Sequence, residues 1–166
     1  MHAILARHGE NLRRRRAALF ERAVLDRALG DIQRIAEMMV RPLAEELEGG
    51  DDALDFIIIV AEVVADPHRA YTDLEVLYED PLVPEVSRLL ASLAELPADL
   101  LGERVVTAVF QSIDAVATRA RRMRVQSPRP MVGTEVFITN LVDMLVGAIT
   151  VQPSARTLAA LADRKA

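Results

Sequence analysis

Three histidines, His2, His8 and His68, are the whole imidazole supply of this 166-residue chain, and cysteine is absent. A thiol nucleophile, a cysteine-ligated zinc or iron–sulfur site and a disulfide framework are therefore excluded. With two of the three histidines near the start, little remains for a His-based triad, and no metal is expected. No GxSxG, HExxH, GxGxxG or P-loop lysine motif occurs, and the one lysine is Lys165. The absence of a Glu-x-x-His pair removes support for a di-iron bundle. The pairs Glu45–Glu46 and Asp51–Asp52 sit where helices end and are read as solvated. Gln111 and Asp114 are better placed, in a long helical stretch among Phe110, Ile113 and Val116. Facing inwards they would demand partners, and a ligand is one candidate. The alternative is that Asp114 pairs with an arginine across a helix interface. A helical enzyme using Asp114 or Glu62 as general base is the weakest reading; no catalytic residue is assigned.

Composition narrows the rest. Hydrophobic residues make up 51% and charged residues 27%, which excludes disorder. Aromatics are 4% with no Trp, which argues against stacking platforms for bases or sugars. The length fits one domain that can bury roughly 70% of its unfolded surface without staples. The net charge of −5 is uneven: eight arginines face four acids in residues 1–34, for +4, and the remainder carries −9. The basic end could lie near an acidic partner or nucleic acid. Arg13-Arg14-Arg15-Arg16, however, points in four directions about 100° apart on a helix and is read as a solvated surface. No secretory signal is recognisable, and the most apolar run, Phe56 to Ala61, meets Glu62 far short of a bilayer span. A cytoplasmic location without membrane contact is expected.

No run alternates as a strand would, so the elements that position these residues are helices. Apolar spacing predicts helices from Ala3 to about Leu29, then from an Asp31 cap to Leu47. After the Gly49-Gly50 stop comes Asp52 to Ala65, apolar on nearly every face and so expected to lie centrally. A broken region follows: Tyr71 to Tyr78, a turn at Asp80-Pro81, then Val83 to Leu96. Pro97 opens a helix reaching about Arg124, and Gln126 to Pro130 is the main loop. Thr134 can cap the last long helix. Pro153 ends it, and Ser154 can cap a short C-terminal helix. The expected fold is an all-α array of about seven helices.

Two features go beyond architecture. Pro42, inside the second helix, cannot donate to the Met38 carbonyl and should kink the chain there. The freed carbonyl either belongs to an adaptable pocket wall or is satisfied by water or a neighbour. The last two long helices are also too apolar for a surface pair, so one face should meet the core and another a second copy of the chain.

At this point the order of elements resembles a known family. Arg7-His8-Gly9-Glu10-Asn11-Leu12-Arg13-Arg14-Arg15-Arg16-Ala17-Ala18-Leu19 looks like the linking helix of tetracycline-repressor (TetR) family regulators. Ile35-Ala36-Glu37-Met38-Met39-Val40-Arg41-Pro42-Leu43 resembles that family's next helix, and the likeness covers roughly residues 1–151. It implies a linking helix at 1–30 and an effector-binding and dimerisation part at 31–166, folded as a single globular unit. It also implies a homodimer whose last two long helices pair as a four-helix bundle through Val116, Phe137, Asn140, Leu141, Met144, Leu145 and Ala148. A small apolar or amphipathic effector would enter among Met38, Met39, Phe56, Ile59, Val63, Tyr71, Phe110, Gln111 and Asp114. No cofactor is implied. The family's helix-turn-helix reader should precede the linking helix, and this sequence begins there, so specific DNA binding is not expected of it alone. The runner-up is a helical interaction or adaptor domain whose cavity is filled by its own side chains.

Overall fold

A computed structural model describes residues 2–65, 80–126 and 128–163. Among the described residues the chain is all-helical, with seven α-helices: α1 (His2–Leu25), α2 (Ile32–Ala44), α3 (Asp51–Ala65), α4 (Leu82–Leu93), α5 (Ala98–Arg124), α6 (Thr134–Thr150) and α7 (Ala155–Asp163). A 3-10 turn, Glu45–Glu48, continues α2. Tyr71, His68 and the rest of the expected broken region up to Glu79 lie outside the described residues.

The hub is α2, not α3. Asp31 takes an extended backbone and its carboxylate accepts from the Gln33 amide at 3.0 Å, which starts α2 as the sequence suggests. Its apolar residues then reach α1, α4, α5 and α6 at once. The third helix packs chiefly on α5, with Ile58 and Ile59 only half-buried. A helix apolar all round need not be the central one when a more amphipathic neighbour carries contacts on several flanks.

Helix ends also depart from expectation. The first helix stops at Leu25, four residues early. Arg27 adopts a left-handed φ of 55°, the Ala28 amide bonds the Ala23 carbonyl at 2.8 Å, and the Arg27 amide bonds that of Val24 at 3.1 Å. That is a Schellman stop with arginine where glycine is usual. Thr134 is the first residue of α6 rather than its cap; Gly133 precedes it and no side chain caps the helix. Ser154 does cap α7, accepting from the Thr157 amide at 3.2 Å.

The core gathers Phe56 and Ile57 of α3, Ile35 and Met38 of α2, Val86 and Leu90 of α4, Val116 of α5, and Ile138, Leu145 and Ile149 of α6. No residue of α7 is buried. No single described helix is long and apolar enough to cross a membrane; α6 and α7 together pass that test only as a pair bent by 50°.

Candidate functional site: a cavity walled by the first helix

Gly9, Leu12, Arg13 and Arg16 occupy positions i, i+3, i+4 and i+7 of α1, so they share one face. That face is one wall of a cavity of about 130 Å³. A void of this size is close to the roughly 150 Å³ that takes up benzene in an engineered core. Met39, Val40 and Leu43 of α2 form the second wall, and Val60 and Val64 of α3 the third. Val109, Phe110, Ile113 and Val116 of α5 complete it, with Val83, Leu145 and Ser112. The Ser112 hydroxyl is committed to the Ala108 carbonyl at 2.8 Å, so this part of the wall is effectively apolar.

The polar end is built around the helix kink. Pro42 has no N–H to give the Met38 carbonyl, and the Nε of Arg16 donates to it instead at 3.0 Å. Of the two fates considered for that carbonyl, capture by a neighbour is the observed one. The same guanidinium donates through Nη1 to Oδ2 of Asp80, whose Oδ1 accepts from the Leu82 amide at 3.0 Å. Side-chain exposures of 9% for Arg16 and 3% for Asp80 make this a buried ion pair. The four arginines do point four ways, but they are not all solvated. Arg14 is exposed, Arg13 pairs with Glu10, Arg15 reaches Glu45 and Glu46, and Arg16 is inside.

The expected ligand-binding residues divide. Met39 and Phe110 line the cavity. Met38 and Phe56 are fully buried elsewhere in the core, Val63 is buried and Ile59 half-buried, all four outside the lining. Gln111 and Asp114 are exposed on α5, so neither is a buried polar group seeking a partner. Tyr71 lies outside the described residues. Sequence reasoning missed Arg16 and Asp80; the available signal was Pro42, which announces that some donor must come to Met38.

Phe56 belongs to a second, closed cluster. Its ring stacks on His8 with centroids 5.0 Å apart and planes 23° from parallel. The imidazole Nδ1 meets Glu46 Oε2, and Nε2 lies 3.1 Å from Nη2 of Arg7. A carboxylate only accepts and a guanidinium only donates, so Nδ1 is placed to donate to Glu46 and Nε2 to accept from Arg7. Arg15 Nη1 lies 2.7 Å from the other Glu46 oxygen. Glu46, expected in solvent, is 2% exposed.

The expected dimer residues also divide. Val116, Leu141 and Leu145 are buried within the subunit, and Val116 and Leu145 line the cavity. Phe137 is half-covered by the Arg119 guanidinium, 4.6 Å from its ring centre. Burial and the nearby Arg122 pull the Arg119 pKa below its usual value. Ala148 is half-buried, and its carbonyl is 3.5 Å from Arg104 Nη1. Only Asn140 and Met144 face outwards, on a stripe with Val136, Gly147 and Val151. Val136, Met144 and Val151 keep 57%, 61% and 60% of their surface in solvent. The exposed residues of α5 are mixed, with Thr107, Gln111, Asp114 and Thr118 beside Val106 and Phe110.

Among the described residues, no group of three or more Asp, Glu or His side chains is arranged to hold a metal ion. Comparison with family models, curated proteins and solved structures found no match for this chain.

Proposed function

We propose that the chain is the effector-sensing and dimerisation domain of a TetR-like transcriptional regulator, binding a small apolar or amphipathic molecule and coupling it to DNA binding. One observation carries the reading: the cavity has α1 itself as a wall, through Gly9, Leu12, Arg13 and Arg16. An occupant therefore pushes directly on the helix that the resemblance assigns to linking. It can bias that helix between two positions only by its difference in affinity for them, so a ligand touching the moving element is the economical arrangement. DNA would be reached through a reader joined to the N-terminal end of α1.

The α6 stripe supports the homodimer half of the proposal. Stable interfaces bury on the order of 1,600 Å² in total. Val136, Met144 and Val151 supply the apolar centre, and exposed polar residues of α5 such as Gln111 and Asp114 supply the rim expected around it. Asp114 thus belongs to the interface rather than to the ligand site. The same stripe also favours the adaptor reading, which differs in needing no ligand.

A thermal-shift screen with small apolar and amphipathic molecules, run beside light scattering at micromolar concentration, separates the two. Ligand-induced stabilisation of a dimer is expected. A monomer without hits contradicts the regulator reading; a dimer or hetero-complex without hits favours the adaptor.

A further inference from the structure

We propose that the cavity takes a compact hydrocarbon without a polar headgroup, and that the buried Arg16–Asp80 pair is the device that keeps headgroups out. This rests on the reading of the cavity as the ligand site and narrows the ligand from apolar or amphipathic to apolar alone. The reason lies in how the polar groups around the space are used. Arg16 gives Nε to the Met38 carbonyl and Nη1 to Asp80 Oδ2, and Asp80 Oδ1 accepts from the Leu82 amide. Arg13 donates through Nε and Nη2 to Glu10, and the Ser112 hydroxyl donates to the Ala108 carbonyl. Among the described residues, the buried side-chain polar atoms without a hydrogen-bond partner are Glu46 Oε1 and Arg119 Nε. Neither residue lines the cavity.

A headgroup entering this space therefore meets no vacant buried partner. It either stays unpaired, at the desolvation cost of a buried polar group, or displaces one member of a charge-assisted pair and leaves the other uncompensated. Charge offers no opening to either sign, because Arg16 and Asp80 neutralise each other. An anion would lie beside Asp80 and a cation beside Arg16. A hydrocarbon asks for none of these groups and meets Leu12, Val60, Val109, Ile113 and Val116 by contact alone. A space of about 130 Å³ suits roughly six or seven carbons, the size of one aromatic ring with a methyl group.

The test is a methyl-detected NMR titration at neutral pH with toluene and phenol, which have the same shape and differ by a methyl against a hydroxyl. Toluene is expected to bind, with shifts at Val60, Val109 and Val116. Phenol should bind at least roughly tenfold more weakly, the consequence of one buried hydroxyl without a partner. Asp80→Asn keeps an oxygen for the Leu82 amide but turns an amide N–H₂ towards Arg16, so Nη1 is released. Phenol should then tighten several-fold while toluene is unchanged. A merely structural role for the pair predicts that both weaken together and that their ratio stays as it was. Should Asp80→Asn not fold, aniline in the unaltered protein decides instead: a pair with nothing vacant excludes its N–H donors as it excludes the phenol hydroxyl.

Phenol or aniline binding as tightly as toluene overturns the hydrocarbon class while leaving the cavity as a ligand site. Toluene that shifts only methyls outside the lining overturns it by placing the ligand elsewhere. Failure of all three molecules to bind removes the proposal together with the ligand-site reading beneath it.

Discussion

Arg15 and Arg16 are neighbours in α1, yet they reach two buried carboxylates whose surroundings are opposite. Arg15 helps to hold Glu46, which His8 also contacts and which the His8–Phe56 stack closes off. Arg16 holds Asp80 at the edge of an open space lined with aliphatic side chains. The first cluster ties α1 to the turn after α2, with His8 on one Glu46 oxygen and the Arg15 charge against the other. The second ties α1 to the residue leading into α4, with a void beside it. Similar chemistry is a clamp where packing is complete and a candidate site where it is not.

Breaking the closed cluster should therefore cost most. Phe56→Ala removes a fully buried ring and the imidazole's stacking surface, and should lower unfolding free energy by about 4 kcal/mol. Urea denaturation measures it, and a loss below about 1 kcal/mol would show that this region is not closed. Glu46→Gln comes next at about 2–3 kcal/mol, because it removes the buried charge that Arg15 meets and can place an amide nitrogen against a donor. The Asp80→Asn variant, read in the same denaturation series, sharpens the contrast between the two carboxylates.

A pair of added carbons tests packing directly. At Gly49, the carbon added in Gly49→Ala would lie 2.7 Å from Cβ of Ala53 and 3.2 Å from the Glu46 carbonyl, so about 1–3 kcal/mol of overpacking is expected beside the closed cluster. Val109→Leu projects its extra carbon into the cavity and should cost less than about 1 kcal/mol. Equal costs at the two sites would erase the distinction.

The smallest effect is electrostatic and serves as a control outside both clusters. Arg41 donates to both oxygens of Glu135, at 2.8 and 2.9 Å, tying α2 to α6. That hydrogen bonding, together with the Arg41 charge, holds the Glu135 pKa below 4.5. A carboxyl whose folded pKa is depressed stabilises the fold above its unfolded value and loses that contribution as pH falls through the folded one. Glu135 is largely solvated, so its contribution should be well under 1 kcal/mol, the ceiling for about half of exposed pairs. Glu135→Gln should therefore lower the urea midpoint slightly at pH 7, and the difference from the unaltered protein should vanish in acid. A difference that persists in acid would assign the effect to packing.

Much of the helix framework was legible because apolar spacing, Asp31, Pro97 and Ser154 act locally. The stop at Arg27 was not, since a left-handed arginine carries no glycine to announce it. Excess apolarity showed that α6 must have two apolar faces, but not that Leu141 and Leu145 turn inwards while Met144 turns out. Helical period alone assigns residues to faces; packing partners decide which face is the core. The site was least legible. Arg16 was hidden in a run of four arginines, and its partner Asp80 lies 64 residues away. A void has no residue type of its own; it appears only when Gly9, Val60 and Val109 fail to fill the space between their helices.

The central claim is that a ligand-sized space lies against α1. Methyl-detected NMR of the protein under xenon pressure tests it most directly, because xenon enters apolar cavities of this size without needing a polar anchor. The account predicts shifts at Leu12, Leu43, Val60, Val109 and Val116, with Ile138 and Ile149 unmoved. Unchanged methyls at those five residues, or shifts confined to surface residues such as Val136 and Met144, would contradict it.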